Sequence, residues 1–164
     1  MRAEGDLPGA LFDGGASWRL HFPADRLIPV HAFWSLSMYE ATKDGQFFFT
    51  KNPLNRYSIG DRTPGLTMSG DGSLDIWIGH ENPGHDRASN WLPAPHGPFA
   101  LFMRAFLPKP ELLEGRYRLP QVSRRRRVTS KSRRIGRFAG TTYVPGHAIR
   151  TGCVILGNHE TGSD

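Results

Sequence analysis

The sequence predicts an all-β, antiparallel two-sheet sandwich, on three observations. Apolar and polar residues alternate with period two through most of the first 122 positions, as in strands with one face in a core and the other in solvent. Turn-forming Gly, Pro, Asn, Asp and Ser recur about every ten residues, so the strands are short and number six to nine. No helical pattern of ten or more residues separates them, which argues against a Rossmann-type or barrel α/β fold.

The elements follow in chain order. Trp18, Leu20 and Phe22 alternate with Arg19 and His21 until Pro23 ends the run. In HAFWSLSMY, Ala32, Trp34, Leu36 and Met38 share one face and Ser35 and Ser37 the other. Gln46 to Thr50 is a short aromatic run that reads as a buried strand. Tyr57 and Ile59 alternate after Asn55 and Arg56, and Leu66 and Met68 begin a further run. Ser69-Gly70-Asp71-Gly72 then precedes SLDIWI, and Asp-Gly tolerates the positive φ of a hairpin turn. Residues Asn82 to Pro98 are too broken by proline for regular structure. In FALFMRAF, Phe99, Leu101, Met103 and Ala105 face one way and Phe102, Arg104 and Phe106 the other. One helical turn fits Pro110 to Leu113, before a short run at Tyr117 to Leu119.

Charge divides the chain near Val122. Residues 1–122 hold 12 Lys and Arg against 13 Asp and Glu, whereas residues 123–164 hold 9 against 2, so the net +6 belongs to the last quarter. Sixteen of the 18 aromatic residues lie before the boundary, and so does the core. The expected organisation is a lead-in over 1–15, a sandwich domain over 16–122, and a basic, largely disordered tail over 123–164. Cys153 to Leu156 is the tail's one apolar run and reads as a lone strand.

FWSLSMYE, NPLNRYSIGDRTPGL, DGSLDIWI and NWLPAPHGPFALFMRAFLPKPELLEG occur in this order. Together they resemble the C-terminal domain of bacterial proteins grouped as domain of unknown function 1214, over about Gly15 to Val122. The resemblance implies a double-sheet jelly roll and no established chemistry. It also implies a partner, because in that family the domain usually follows a second β-rich module, domain of unknown function 1254. Met1 stands almost on top of the matching region, so the expectation is a C-terminal fragment of a two-domain protein. Its partner would be the missing module or another copy of the chain. Relatives of this kind are often exported, but the first 25 residues carry Glu4, Asp6 and Asp13 and lack a signal peptide's basic start and apolar stretch. The compartment therefore stays open.

Composition removes several functions. No apolar run reaches the roughly 18 residues of a membrane helix. The single cysteine, Cys153, excludes an internal disulfide framework and multi-cysteine metal sites. His80, Glu81, His85, Asp86 and His96 are metal-compatible ligand types, yet H-x-H-plus-Glu, HExxH and calcium-loop spacings are absent. His80, His85 and His96 are therefore weak metal candidates, and no cofactor is expected. There is no G-x-S-x-G elbow. Ser69 lies in turn chemistry, and Asp61, Asp75 and Asp86 read as surface residues.

The group that carries most chemistry is aromatic and polar together: Trp34, Asn55, Arg56, Tyr57, Trp77, Asn90, Trp91 and Arg104. Indole faces stack on sugar rings, and a guanidinium holds a carboxylate through two parallel hydrogen bonds. Phe102, Arg104 and Phe106 face away from the expected core, as a groove for an anionic ligand or an interface with the missing module. In the competing structural reading, Trp34 is core, Trp91 plugs one end, and Arg56 and Arg104 satisfy loop carbonyls. The resulting expectation is a binding or structural module for a polar or carbohydrate-like ligand. A polysaccharide hydrolase or lyase is the enzymatic rival, by fold analogy. Non-specific nucleic-acid binding through Arg124–Arg127, Lys131, Arg133 and Arg134 is the third reading. It is disfavoured because the tail lacks interleaved aromatics.

Overall fold

The computed structural model describes residues 11–125, 142–144 and 151–156. Among the described residues, eleven strands form two sheets: β1 (Phe12–Asp13), β2 (Ser17–Phe22), β3 (Val30–Ala41), β4 (Phe47–Phe48), β5 (Ser58–Gly60), β6 (Leu74–Gly79), β7 (Trp91–Pro93), β8 (Pro98–Pro108), β9 (Val122–Arg125), β10 (Thr142–Val144) and β11 (Thr151–Leu156). The larger sheet runs β10-β11-β8-β3-β4, with β1 also on β8 and β5 also on β3. The smaller runs β7-β6-β2-β9. The fold is the expected all-β sandwich. Every ladder is antiparallel except β6–β7, whose crossover is the loop and 3₁₀ helix His85–Asn90.

Alternation in the sequence becomes sidedness in the fold. Trp18, Leu20 and Phe22 of β2 and Leu74, Ile76 and Ile78 of β6 are buried against Trp34, Leu36 and Met38 of β3 and Phe99, Leu101 and Met103 of β8. Burying one such side chain stabilises the fold by about 1.5–3 kcal/mol, so these four strands hold the sandwich together. Phe12 joins the same core, stacked on Phe99 and edge-on to Trp18. Close approach of β5 to β3 needs Gly60, because a Cβ there would collide with the Trp34 carbonyl oxygen.

The structure differs from the sequence expectations in several elements. Gln46–Thr50 is not a buried strand. Only Phe47–Phe48 is extended, it pairs only with the end of β3, and Phe48 and Phe49 are 54% and 53% exposed. A two-residue edge strand has too little partner surface to bury three consecutive rings. The Ser69–Gly72 turn forms, with Gly72 at φ +82° and its N–H on the Ser69 carbonyl, but Leu66–Met68 is not a strand. Thr67 instead gives its N–H to Asn90 Oδ1 and its carbonyl to Asn90 Nδ2, so a side-chain amide stands where a strand partner would. Residues 82–98 are more regular than expected, containing the 3₁₀ helix and β7. Tyr117–Leu119 is not a strand; the Tyr117 hydroxyl donates to the Arg26 carbonyl instead.

The basic quarter contributes strands as well. β9 pairs with β2 through Arg125, and β11 pairs with both β8 and β10, so Cys153–Leu156 belongs to a longer strand with two neighbours. The rest of the expected tail, 126–141, 145–150 and 157–164, lies outside the described residues, as do 1–10 of the lead-in. No helix among the described residues is long and apolar enough to cross a membrane.

Candidate functional site

The polar and aromatic residues singled out from sequence separate into four places. Trp34 is in the core, tilted against Phe22. Asn55, Arg56, Asn90 and Trp91 gather where the loop after β4 meets the 3₁₀ helix. Arg104 and Tyr57 belong to the outer face of the larger sheet. Trp77 is half-exposed on the outer face of the smaller sheet.

In the second place, side-chain donors end on backbone. Arg56 Nη1 donates to the carbonyls of Trp91 (2.8 Å), Ser89 (2.9 Å) and Ala88 (3.3 Å). Burial lowers the Arg56 pKa. Asn90, 5% exposed, bridges Thr67 to the Asp75 carbonyl, and Trp91 Nε1 donates to the Gly79 carbonyl at 2.9 Å. Asn55 adopts φ +48° in a turn organised by the neighbouring Asn52 side chain. Asparagine tolerates that left-handed geometry better than most residues. These groups fasten one end of the sandwich, because the Arg56 Nη1, Asn90 Nδ2 and Trp91 Nε1 donors all end on backbone carbonyls.

The outer face of the larger sheet is different. β3 and β8 pair with Ser35 opposite Arg104, Ser37 opposite Phe102 and Phe33 opposite Phe106. Arg104 Nη1 donates to Ser37 Oγ at 2.9 Å, and its Nη2 to the Tyr39 hydroxyl at 3.1 Å. Both partners are neutral, and no carboxylate of the described residues stands within ion-pair distance. Around it, Tyr39 meets Phe102 edge-on at 5.1 Å and stacks on Phe49 at 4.5 Å, and Phe49 meets Tyr57 at 5.2 Å. Further along, Phe33 and Phe106 stack at 4.1 Å with the Arg62 guanidinium 4.2 Å from the Phe33 ring. A half-buried cation is thus framed by rings on a solvent-facing sheet.

The histidines divide too. The His80 and His96 rings meet tilted, 3.4 Å between centroids, whereas His85 is fully exposed beside Asp86. No three His, Cys, Asp or Glu side chains come together among the described residues in a way that could hold a metal ion.

Sequence reasoning missed Ser37, Tyr39 and Phe49 around Arg104. The signal for Tyr39 was available: it follows Ser35 and Ser37 on the polar face of the β3 alternation. Register and loop placement, which one sequence does not specify, were needed for the rest. Also missed was a charged cluster on the outer face of the smaller sheet. There Arg19 grips Asp75 with two hydrogen bonds of 2.7 Å and His21 Nδ1 lies 2.7 Å from the same carboxylate. Burial pushes the Asp75 pKa up, but the Arg19 and His21 hydrogen bonds outweigh it and hold the carboxyl below its ordinary value.

Fold and surface together define a two-sheet β-sandwich domain with an aromatic, arginine-bearing sheet face. The chain belongs to the family described as Protein of unknown function (DUF1214), whose model matches residues 1–110. Among solved structures it is similar to the VPA0106 protein from Vibrio parahaemolyticus, with a TM-score of 0.59 and 28% identity over 70% of this chain. The match spans only 27% of that longer chain. No curated protein matches the sequence.

Proposed function

We propose that this domain is a binding module for an acidic, carbohydrate-like ligand, taken on the outer face of the larger sheet. The observation that carries this reading is Arg104, a half-buried guanidinium held by the two hydroxyls of Ser37 and Tyr39 and framed by aromatic rings. A carboxylate replaces water on such a cation with charge-assisted, bidentate hydrogen bonds, while a pyranose ring lies against Tyr39, Phe102 or Tyr57. Ser37 and Tyr39 pre-orient the guanidinium, so little side-chain entropy is lost on binding. Calorimetric titration with trigalacturonate, and with neutral maltotriose as control, tests this. Binding of the acidic sugar alone, weakened about tenfold or more in Arg104→Gln, is the expected result. Equal binding in the variant would overturn the assignment. Release of unsaturated product, read at 235 nm, would favour the lyase rival instead.

A second reading has its own observation. Phe48 and Phe49 are adjacent large apolar side chains left exposed, as on a surface that packs against a partner module or a second copy. Sedimentation that stays monomeric at high concentration, with and without an added domain of unknown function 1254 module, would remove it.

A further inference from the structure

The outer face of the smaller sheet carries an unassigned surface of its own. Trp77 alternates outward between buried Ile76 and Ile78 on β6 and stays half-exposed, so the core does not account for a tryptophan there. Three guanidiniums converge on its ring, with Arg87, Arg125 and Arg19 at 4.6, 4.7 and 5.4 Å from the centroid. They come from three elements: the 3₁₀ helix, β9 and β2. Asp75 answers the charge of Arg19, but no carboxylate of the described residues stands within ion-pair distance of Arg87 or Arg125.

Cation–π contact restrains a guanidinium through its planar face and leaves its in-plane N–H donors available. Two cations therefore present open donors beside one indole. Alternation along β9 turns Arg124 toward Asp13 and Arg125 toward Trp77.

We propose that this face binds single-stranded nucleic acid, with a base stacked on Trp77 or on the guanidiniums against it and phosphates held by Arg87 and Arg125. Charge complementarity selects a polyanion. The planar character of both indole and guanidinium favours a base over the non-planar ring of a sulfated sugar, since every base offers a π face and every nucleotide a phosphate. The surface lies on the opposite sheet from Arg104, so it stands or falls separately from the carbohydrate reading.

The test is fluorescence anisotropy of a labelled oligothymidylate with the full chain across a salt series, in wild type, Trp77→Ala, Trp77→Phe and Arg87→Gln/Arg125→Gln. Amide NMR spectra establish that each variant is folded. Arg87 and Arg125 are exposed, so the double variant remains informative if Trp77→Ala fails to fold. Expected are roughly tenfold weaker binding for Trp77→Ala with most affinity kept in Trp77→Phe, and a salt slope lower by about 1.4 for the double variant. Unchanged affinity in the double variant, or no binding by wild type, would overturn the proposal. Heparin binding that depends on Trp77 while the oligonucleotide does not bind would assign the face to sulfated polysaccharide instead, which also overturns it.

Discussion

Arg56 and Arg104 are both half-buried arginines without a carboxylate within ion-pair distance among the described residues, and they do opposite things. Arg56 ends on three carbonyls of the 3₁₀ helix and β7, joining two segments far apart in sequence. Arg104 ends on two hydroxyls of the adjacent strand, within a ladder already held by backbone hydrogen bonds. Carbonyls can only accept, so removing Arg56 takes a donor from the Ser89 and Trp91 carbonyls, while the Ala88 carbonyl keeps the Trp91 N–H. The Tyr39 hydroxyl can turn to water or to a ligand, whereas Ser37, 4% exposed, loses its Arg104 donor, so removing Arg104 takes the partner from one buried hydroxyl and from no backbone group. The same residue type is therefore a fastener in one place and an available cation in the other.

Breaking the fastened region has the largest expected effect. Asn90→Ala leaves both backbone groups of Thr67 and the Asp75 carbonyl without their partner, and costs about 3 kcal/mol in urea unfolding. Arg56→Ala follows at about 2 kcal/mol. A loss below about 0.5 kcal/mol for both would show that this polar cluster is not what fixes the end of the sandwich. Gly60→Ala costs a similar ~2 kcal/mol, because β5 must move away from the Trp34 carbonyl; thermal melting reads it. Arg104→Gln sharpens the contrast, with a stability change under about 1 kcal/mol alongside the loss of acidic-sugar affinity.

The smallest effect concerns pH. Asp75 has a folded pKa below its ordinary 3.8, so its contribution is fully present above that value and is lost as pH falls through the lower folded one. Wild type should therefore lose stability faster than Asp75→Asn as pH drops below about 4, read from urea midpoints. Parallel curves would mean that the Arg19–Asp75–His21 cluster contributes nothing to acid stability. A partly exposed pair of this kind supplies about 1 kcal/mol.

Much of the fold was legible because alternation has one cause. Trp18, Leu20 and Phe22, or Phe99, Leu101 and Met103, can share a face only in a strand, and burial follows from that. Long strands of this kind were read correctly in place and sidedness. What failed was short and contingent. The three phenylalanines after Gln46 are apolar enough for a core, but their strand sits at an edge. Leu66–Met68 alternates like a strand, yet its hydrogen-bonding partner is Asn90, 23 residues away, which no local pattern announces. The candidate site was half legible for the same reason. Alternation placed Phe102, Arg104 and Phe106 outward. Nothing local could show that Ser37 and Tyr39 stand beside Arg104, or that Arg87 and Arg125 approach Trp77. Residue type alone could not separate Arg56 from Arg104, because the acceptors decide their roles and those acceptors come from distant segments.

The most direct test of the central contrast is a titration of trigalacturonate followed through the arginine Nε–Hε signals by proton–nitrogen NMR. Arg104 should shift in a saturable manner while Arg56 stays still, and maltotriose should move neither. A shift of Arg56 with Arg104 unmoved, or no saturable shift of either, would contradict the assignment of Arg104 as the cation that meets the ligand.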